Sequence, residues 1–66
     1  MLFDRKDVRI ETFDSRPGYI RLVHEPTGYY VEHDDASKSQ HQLKELAMVD
    51  LERKVAVELI LKRAQG

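Results

Sequence analysis

The sequence predicts an α+β fold in which a three-stranded antiparallel β-meander packs against one long C-terminal helix, in the order β-β-β-α. Two features of the 66-residue chain predict it. Short segments with alternating apolar side chains, each followed by a turn sequence, occupy the first half. A long segment without glycine or proline follows them. No repeat or linker divides the chain, so we expect a single domain over residues 1–66.

Three segments have the composition of β-strands. In residues 8–13, Val8 and Ile10 fall on one face while charged side chains fall on the other. Residues 19–24 alternate in the same way, and residues 29–33 are rich in aromatic and β-branched side chains. We therefore expect three strands at these positions.

Turn sequences separate the strands and set their direction. The Pro17-Gly18 pair favours a type II turn after the first strand, because glycine readily accepts a positive φ. Residues 25–28 include a second proline and a second glycine and reverse the chain again. Short connections of this kind join antiparallel strands, which gives a meander.

The long helix is predicted to begin at Ser39, whose hydroxyl suits an N-cap, and to end near Ala64. In its first half, one apolar stripe has the spacing that suits packing on the sheet: Leu43, Leu46, Ala47 and Leu51. Apolar side chains surround most of the second half, and a three-stranded sheet cannot cover them all. We expect a homodimer to bury this surplus at an oligomer interface formed by Val55, Val57, Leu59, Ile60 and Leu61. The alternatives are that the last turn of the helix is frayed or that a partner protein covers the same surface.

Composition limits the classes of function. With 11 basic and 12 acidic side chains the net charge is −1, whereas general nucleic-acid binders carry a basic excess. Any RNA contact is therefore expected to be local. The absence of cysteine excludes disulfides and thiolate metal sites. Charged residues begin at Asp4, so no signal peptide is expected, and no apolar run approaches the roughly 20 residues of a membrane span. We expect a cytoplasmic protein without membrane contact.

The histidines are the remaining candidates for a metal or acid-base site. His24 and His33 lie on neighbouring predicted strands and His41 lies in the first helical turn, so the three side chains could meet. No carboxylate stands beside them at metal-ligand spacing, however, and no nucleophile stands out. We therefore predict no metal, no cofactor and no small-molecule substrate.

Residues 20–32, Ile-Arg-Leu-Val-His-Glu-Pro-Thr-Gly-Tyr-Tyr-Val-Glu, resemble part of the catalytic domain of class I peptide chain release factors and related ribosome-rescue peptidyl-tRNA hydrolases. In that family an Arg-bearing strand precedes His-x-Pro-Thr-Gly and an apolar strand, and Ser-Gln opens the long helix. Residues 8–13 are similar to the family's first strand, and the likeness covers roughly residues 8–54. Taken singly, each matching residue has an ordinary role in a turn or a helix cap, but their joint order carries the resemblance: His24, Pro26, Thr27, Gly28, Ser39 and Gln40.

The departures from the family bear directly on function. Release factors carry a glycine-rich Gly-Gly-Gln loop between the first two strands, and that loop reaches the peptidyl transferase centre and assists ester hydrolysis. Here only residues 14–18 join those strands, and Gly-Gly-Gln occurs nowhere in the chain. Leu43 stands where the family has an asparagine, and only Lys62 and Arg63 stand in place of a basic tail. We predict no catalytic residues, no hydrolase activity and, without a codon-reading domain, no stop-codon recognition.

The leading hypothesis is a non-catalytic, release factor-like protein that contacts the ribosome or its RNA and modulates translation. Aromatic and basic side chains on a sheet stack on bases and contact phosphates. The simpler reading is that the tyrosines pack against the helix with their hydroxyls at its edge. The alternative function is a small protein-interaction module, of cellular or viral origin, that reuses the fold. The candidate RNA-binding residues are Arg9, Arg16, Tyr19, Arg21 and Tyr29, with Tyr30 in the same grouping.

Overall fold

The computed structural model describes residues 3–65, apart from the side chain of Gln65. A 3-10 turn precedes three strands and one helix: the turn at Arg5–Asp7, β1 (Val8–Glu11), β2 (Tyr19–His24), β3 (Tyr29–Asp34) and α1 (Gln40–Gln65). The strands form one antiparallel sheet in the order β1-β2-β3, so the predicted β-β-β-α architecture is confirmed. The prediction that no signal peptide is present concerns in part Met1 and Leu2, which lie outside the described residues.

Strand β1 is shorter than predicted. It ends at Glu11 rather than at Phe13, because the chain enters two consecutive turns, of which the first begins at Phe13. The Arg16 amide donates to the Phe13 carbonyl at 3.1 Å, and the Tyr19 amide donates to the Arg16 carbonyl at 3.2 Å. Gly18, the residue after Pro17, has a φ of +84°. A proline followed by a glycine with positive φ inside a four-residue hydrogen-bonded turn agrees with the predicted type II turn.

Helix α1 begins with a capping box. The Ser39 hydroxyl accepts a hydrogen bond from the Gln42 amide at 3.2 Å, and the Gln42 side-chain oxygen accepts one from the Ser39 amide at 2.9 Å. This reciprocal pair satisfies backbone donors that have no partner inside the helix, and it confirms Ser39 as the cap. Lys62 and Arg63 in the last turn complement the helix dipole.

The core lies between β2 and one face of α1. Four buried side chains of the helix are spaced by four residues: Leu43, Ala47, Leu51 and Val55. They pack against Ile20 and Leu22 of β2, and Met48 of the helix joins the same cluster. Two predictions about this face were wrong. Leu46 is 44% exposed because it lies about 100° around the helix from Ala47, on the side away from the sheet. Val55, predicted at an oligomer interface, is only 1% exposed because it continues the buried four-residue series.

The helix is longer than the sheet that supports it. Its 26 residues extend about 39 Å at 1.5 Å per residue, whereas a six-residue strand extends about 20 Å. The longest dimension of the molecule, 42 Å, is close to the length of the helix alone. The turns after Val55 therefore extend past the core. In the part of the chain that the structure describes, no helix is both long enough and apolar enough to cross a membrane.

Candidate functional site

Four of the five predicted RNA-binding residues lie together. Alternation along the strands directs one set of side chains away from α1, and we call this set the outer face: Arg9, Glu11, Tyr19, Arg21, Val23, Tyr30 and Glu32. The predicted residues Arg9, Tyr19 and Arg21 belong to it. Arg16 lies in the adjacent turn, with its guanidinium 4.1 Å from the centre of the Tyr19 ring.

The arginines of the outer face are paired with carboxylates of the same chain. The Arg21 guanidinium lies 3.3 Å from Glu11 and 3.7 Å from Glu32, so it bridges β1 and β3. Arg9 lies 3.5 Å from Glu11 and 3.4 Å from Glu25. Because each positive charge has an acidic neighbour, the face presents no unbalanced positive potential to a phosphate.

Tyr19 is a packed residue and does not offer a stacking surface. It is only 3% exposed, and the rings of Phe13 and Tyr19 lie 5.5 Å apart. Its hydroxyl donates a hydrogen bond to Glu32 at 2.5 Å. That hydrogen bond, followed by burial, raises the pKa of Tyr19 above its ordinary value, although Arg21 opposes the shift. The exposed aromatic ring of the outer face is Tyr30, at 46% exposure.

The grouping of Tyr29 with these residues was wrong. Tyr29 pairs with His24 in the sheet register and packs against the core cluster, on the face that α1 covers. Lys62 of the helix lies 5.8 Å from the centre of its ring. Adjacent aromatic residues in a strand point to opposite faces, so Tyr29 and Tyr30 cannot share a surface. Tyr29 therefore follows the simpler interpretation, in which a tyrosine of the sheet packs against the helix.

The His-x-Pro-Thr-Gly segment forms the connection between β2 and β3. His24 Nδ1 and Thr27 Oγ1 lie 2.7 Å apart, and Thr27 Oγ1 accepts a hydrogen bond from the Tyr29 amide at 3.3 Å. The Gly28 amide donates to the His24 carbonyl at 2.7 Å, with Gly28 at a φ of +77°. The polar groups of this motif are therefore engaged within the turn, which Pro26 completes. The histidine is 6% exposed and is covered by the Phe3 ring at 4.6 Å.

The Ser-Gln pair connects the helix to the sheet. Ser39 caps α1, and the Gln40 side-chain amide donates to the carbonyl of Tyr19 at 3.4 Å. This hydrogen bond joins the first turn of α1 to the start of β2. Both residues thus have a structural role at the point where the sheet and the helix meet.

The three histidines have separate environments. His24 is engaged in its turn, and His33 Nε2 lies 2.6 Å from a carboxylate oxygen of Asp50, which connects β3 to α1. His41 is exposed at the start of the helix. Within the described residues, no three His, Asp or Glu side chains gather as a metal site.

Sequence reasoning missed an open groove between the β1–β2 connection and the first turns of α1. The helix packs mainly on β2 and β3, so Ile10 of the edge strand β1 stays 44% exposed. The groove is lined by Ile10, Thr12, Phe13, Asp14, Pro17, Ile20, Gln40, His41 and Lys44. The signal in the sequence was apolar Ile10 on an edge strand, with Phe13 in the turn that follows the strand, beside a single helix.

The projecting part of α1 keeps most of its predicted apolar surface. Four of the five residues proposed for an oligomer interface are between 45% and 64% exposed: Val57, Leu59, Ile60 and Leu61. Leu46 and Val49, in the part of α1 that packs on the sheet, are also exposed because they lie on the side of the helix away from it. The apolar surface is therefore longer than predicted and lacks Val55.

No protein-family model, curated protein or solved structure matches the chain significantly.

Proposed function

We propose that the protein is a non-catalytic relative of the release-factor catalytic domain that contacts the ribosome or its RNA and modulates translation without hydrolysing peptidyl-tRNA. The observation that carries the proposal is the closed connection between β1 and β2. This connection stands at the position of the family's catalytic loop, and here it is two tight turns.

Close packing holds that connection in place. A Cβ atom added at Gly18 would lie 2.5 Å from the Cα of Ala36, so the backbones of the two loops are in direct contact. The Asp35 amide donates to the Gly18 carbonyl at 2.8 Å. A segment fixed against the β3–α1 loop cannot extend away from the domain to reach a distant reaction centre. This supports a binding role over a hydrolytic one.

The outer face and the neighbouring Arg16 are the surface through which the protein contacts RNA in this proposal. Arg9, Arg16 and Arg21 must each exchange a carboxylate partner for a phosphate. The Tyr30 ring is partly exposed, and the charged groups of Arg21 and Lys54, which lie 5.4 and 5.3 Å from its centre, must move aside before it stacks on a base. Three arginines allow about three phosphate contacts, so the logarithm of affinity should fall with the logarithm of salt concentration with a slope of about −3 or shallower. The contact is weak compared with that of basic RNA-binding proteins.

Co-sedimentation with purified ribosomes at low and moderate salt tests this proposal. We expect the wild type to pellet at low salt, and we expect Arg21→Glu and Tyr30→Ala to weaken pelleting. Arg5→Glu is the matched control, because Arg5 lies in the 3-10 turn outside the sheet and is similarly exposed. Absence of pelleting at low salt, or equal losses in Arg5→Glu and Arg21→Glu, would contradict the proposal.

The exposed apolar surface of α1 favours a second candidate function, a protein-interaction module. A domain of 66 residues has little stability to spare, and apolar side chains left in water forgo roughly 1.5–3 kcal/mol each relative to burial. A surface that retains six large apolar residues along one helix is typical of an interaction site. A pull-down that compares the wild-type protein with Ile60→Glu tests for a protein partner, which only the wild type should retain.

A further inference from the structure

One line of side chains on the exposed side of α1, which we call the seam, has the spacing of a coiled-coil interface, with apolar residues at four of its six positions. Its residues alternate in steps of three and four along the helix: Leu46, Val49, Arg53, Ala56, Ile60 and Arg63. This is the heptad spacing at which one helix packs along another. At 100° per residue the mean direction of the seam lies about 170° from that of the buried series Leu43–Ala47–Leu51–Val55, so a partner on the seam would not disturb the sheet.

Two shallow hollows lie along this seam, and each has the shape of a knobs-into-holes socket. The first is lined by Val49, Glu52, Arg53 and Ala56, and the second by Ala56, Leu59, Ile60 and Arg63. Both sets have the spacing i, i+3, i+4, i+7, which is the four-residue hole that receives one side chain of a facing helix. The small side chain of Ala56 belongs to both hollows.

We propose that α1 pairs with α1 of a second copy of this chain, antiparallel, with the two-fold axis at Ala56. This inference is independent of ribosome contact and deepens the second candidate function. With Ala56 facing its copy, Ile60 of each protomer lies level with the hollow that Val49, Glu52 and Arg53 form in the other. Each protomer then supplies both the inserted side chain and the socket, as a closed two-fold interface requires.

Charge selects the antiparallel direction. In a parallel pair, identical residues face each other, so Arg53 and Arg63 would each meet their own copies. In the antiparallel pair centred on Ala56, Arg63 lies level with Val49 of the partner subunit and about 4.5 Å along the axis from Glu52 of the partner subunit. The arrangement replaces two like-charge contacts with a favourable pairing. The two sheets lie on the outer sides of the helix pair.

Sedimentation equilibrium of the protein alone tests the proposal. The expected mass at high micromolar concentration is twice the 7.7 kDa of the chain. Ile60→Glu should raise the dissociation constant by at least about tenfold, because it places a charge in the socket. Leu61→Glu is the matched control: Leu61 is 50% exposed on the same turn but lies about 110° around the helix from the mean direction of the seam, so this pairing, unlike the interface predicted from the sequence, leaves Leu61 outside the contact. A monomeric wild type, or equal effects of the two substitutions, would overturn the proposal.

A disulfide experiment tests the direction without depending on those variants. The chain has no cysteine, so introduced thiols report only on the positions chosen. A mixture of Val49→Cys and Arg63→Cys proteins should oxidise mainly to the mixed dimer if the helices are antiparallel. Predominance of the two symmetric disulfides would show parallel pairing and contradict the proposal. Because no ribosome is present in either experiment, their outcome is separate from that of the ribosome co-sedimentation.

Discussion

Replacing Gly18 with alanine should destabilise the fold more than the same change at Gly28. Both glycines have positive φ, where a Cβ costs about 1–2 kcal/mol. At Gly28 no atom lies within 4 Å of the added Cβ, so strain is the whole cost. At Gly18 the Cβ would lie 2.5 Å from the Cα of Ala36, which must move and lose the hydrogen bond from the Asp35 amide to the Gly18 carbonyl. That hydrogen bond adds about 0.5–1.5 kcal/mol.

The expected losses are therefore about 1.5–3.5 kcal/mol for Gly18→Ala and about 1–2 kcal/mol for Gly28→Ala. Urea denaturation followed by far-UV circular dichroism measures both, since the midpoint falls in proportion to the free energy of unfolding when the slope is unchanged. Equal losses, or a smaller loss at Gly18, would refute the reasoning. The β1–β2 connection would then be free to move away from the β3–α1 loop, and the argument against catalysis would lose its main support.

Three further predictions use the same denaturation measurement. Ser39→Ala should cost about 1 kcal/mol, because it removes one half of the capping box, and an unchanged midpoint would contradict the cap. Leu51→Ala should cost about 2–5 kcal/mol because Leu51 is fully buried, whereas Leu61→Ala on the exposed surface should change stability by less than about 0.5 kcal/mol in the monomer. Hydrogen bonds from Lys38 and Ser37 hold the pKa of the Asp35 carboxyl below its ordinary value of 3.8. Since the pKa of the folded state is depressed, the stability that Asp35 contributes is present above about pH 4 and is lost as the pH falls below it, so Asp35→Asn should flatten the acid limb of the stability profile.

Local signals predicted the elements of the fold well. The Pro17-Gly18 turn, the 25–28 connection and the Ser39 cap each depend on a few neighbouring residues whose conformational preferences are strong. The first strand was overestimated because Thr12 and Phe13 are residue types common in strands, although the strand ends at Glu11 and a turn begins at Phe13. Pattern alone does not show where a partner strand stops pairing.

The errors in the candidate sites concern orientation. The sequence contains Tyr29 and Tyr30 side by side, and only the register with β2 decides which of them faces the helix. Similarly, Leu46 could be excluded from the core, and Met48 and Val55 assigned to it, only once the line on which α1 crosses the sheet was known. The pairing of Arg21 with Glu11 and Glu32 was also hidden, because those partners come from the two neighbouring strands.

The rate of peptide release from ribosomes that carry peptidyl-tRNA at a stop codon tests the central claim most directly. The account predicts that the protein alone releases no peptide above a buffer control, and that an excess of it slows release by an authentic release factor at the salt concentration where it binds ribosomes. Release by the protein alone, or an unchanged rate with the authentic factor despite ribosome binding, would contradict the account.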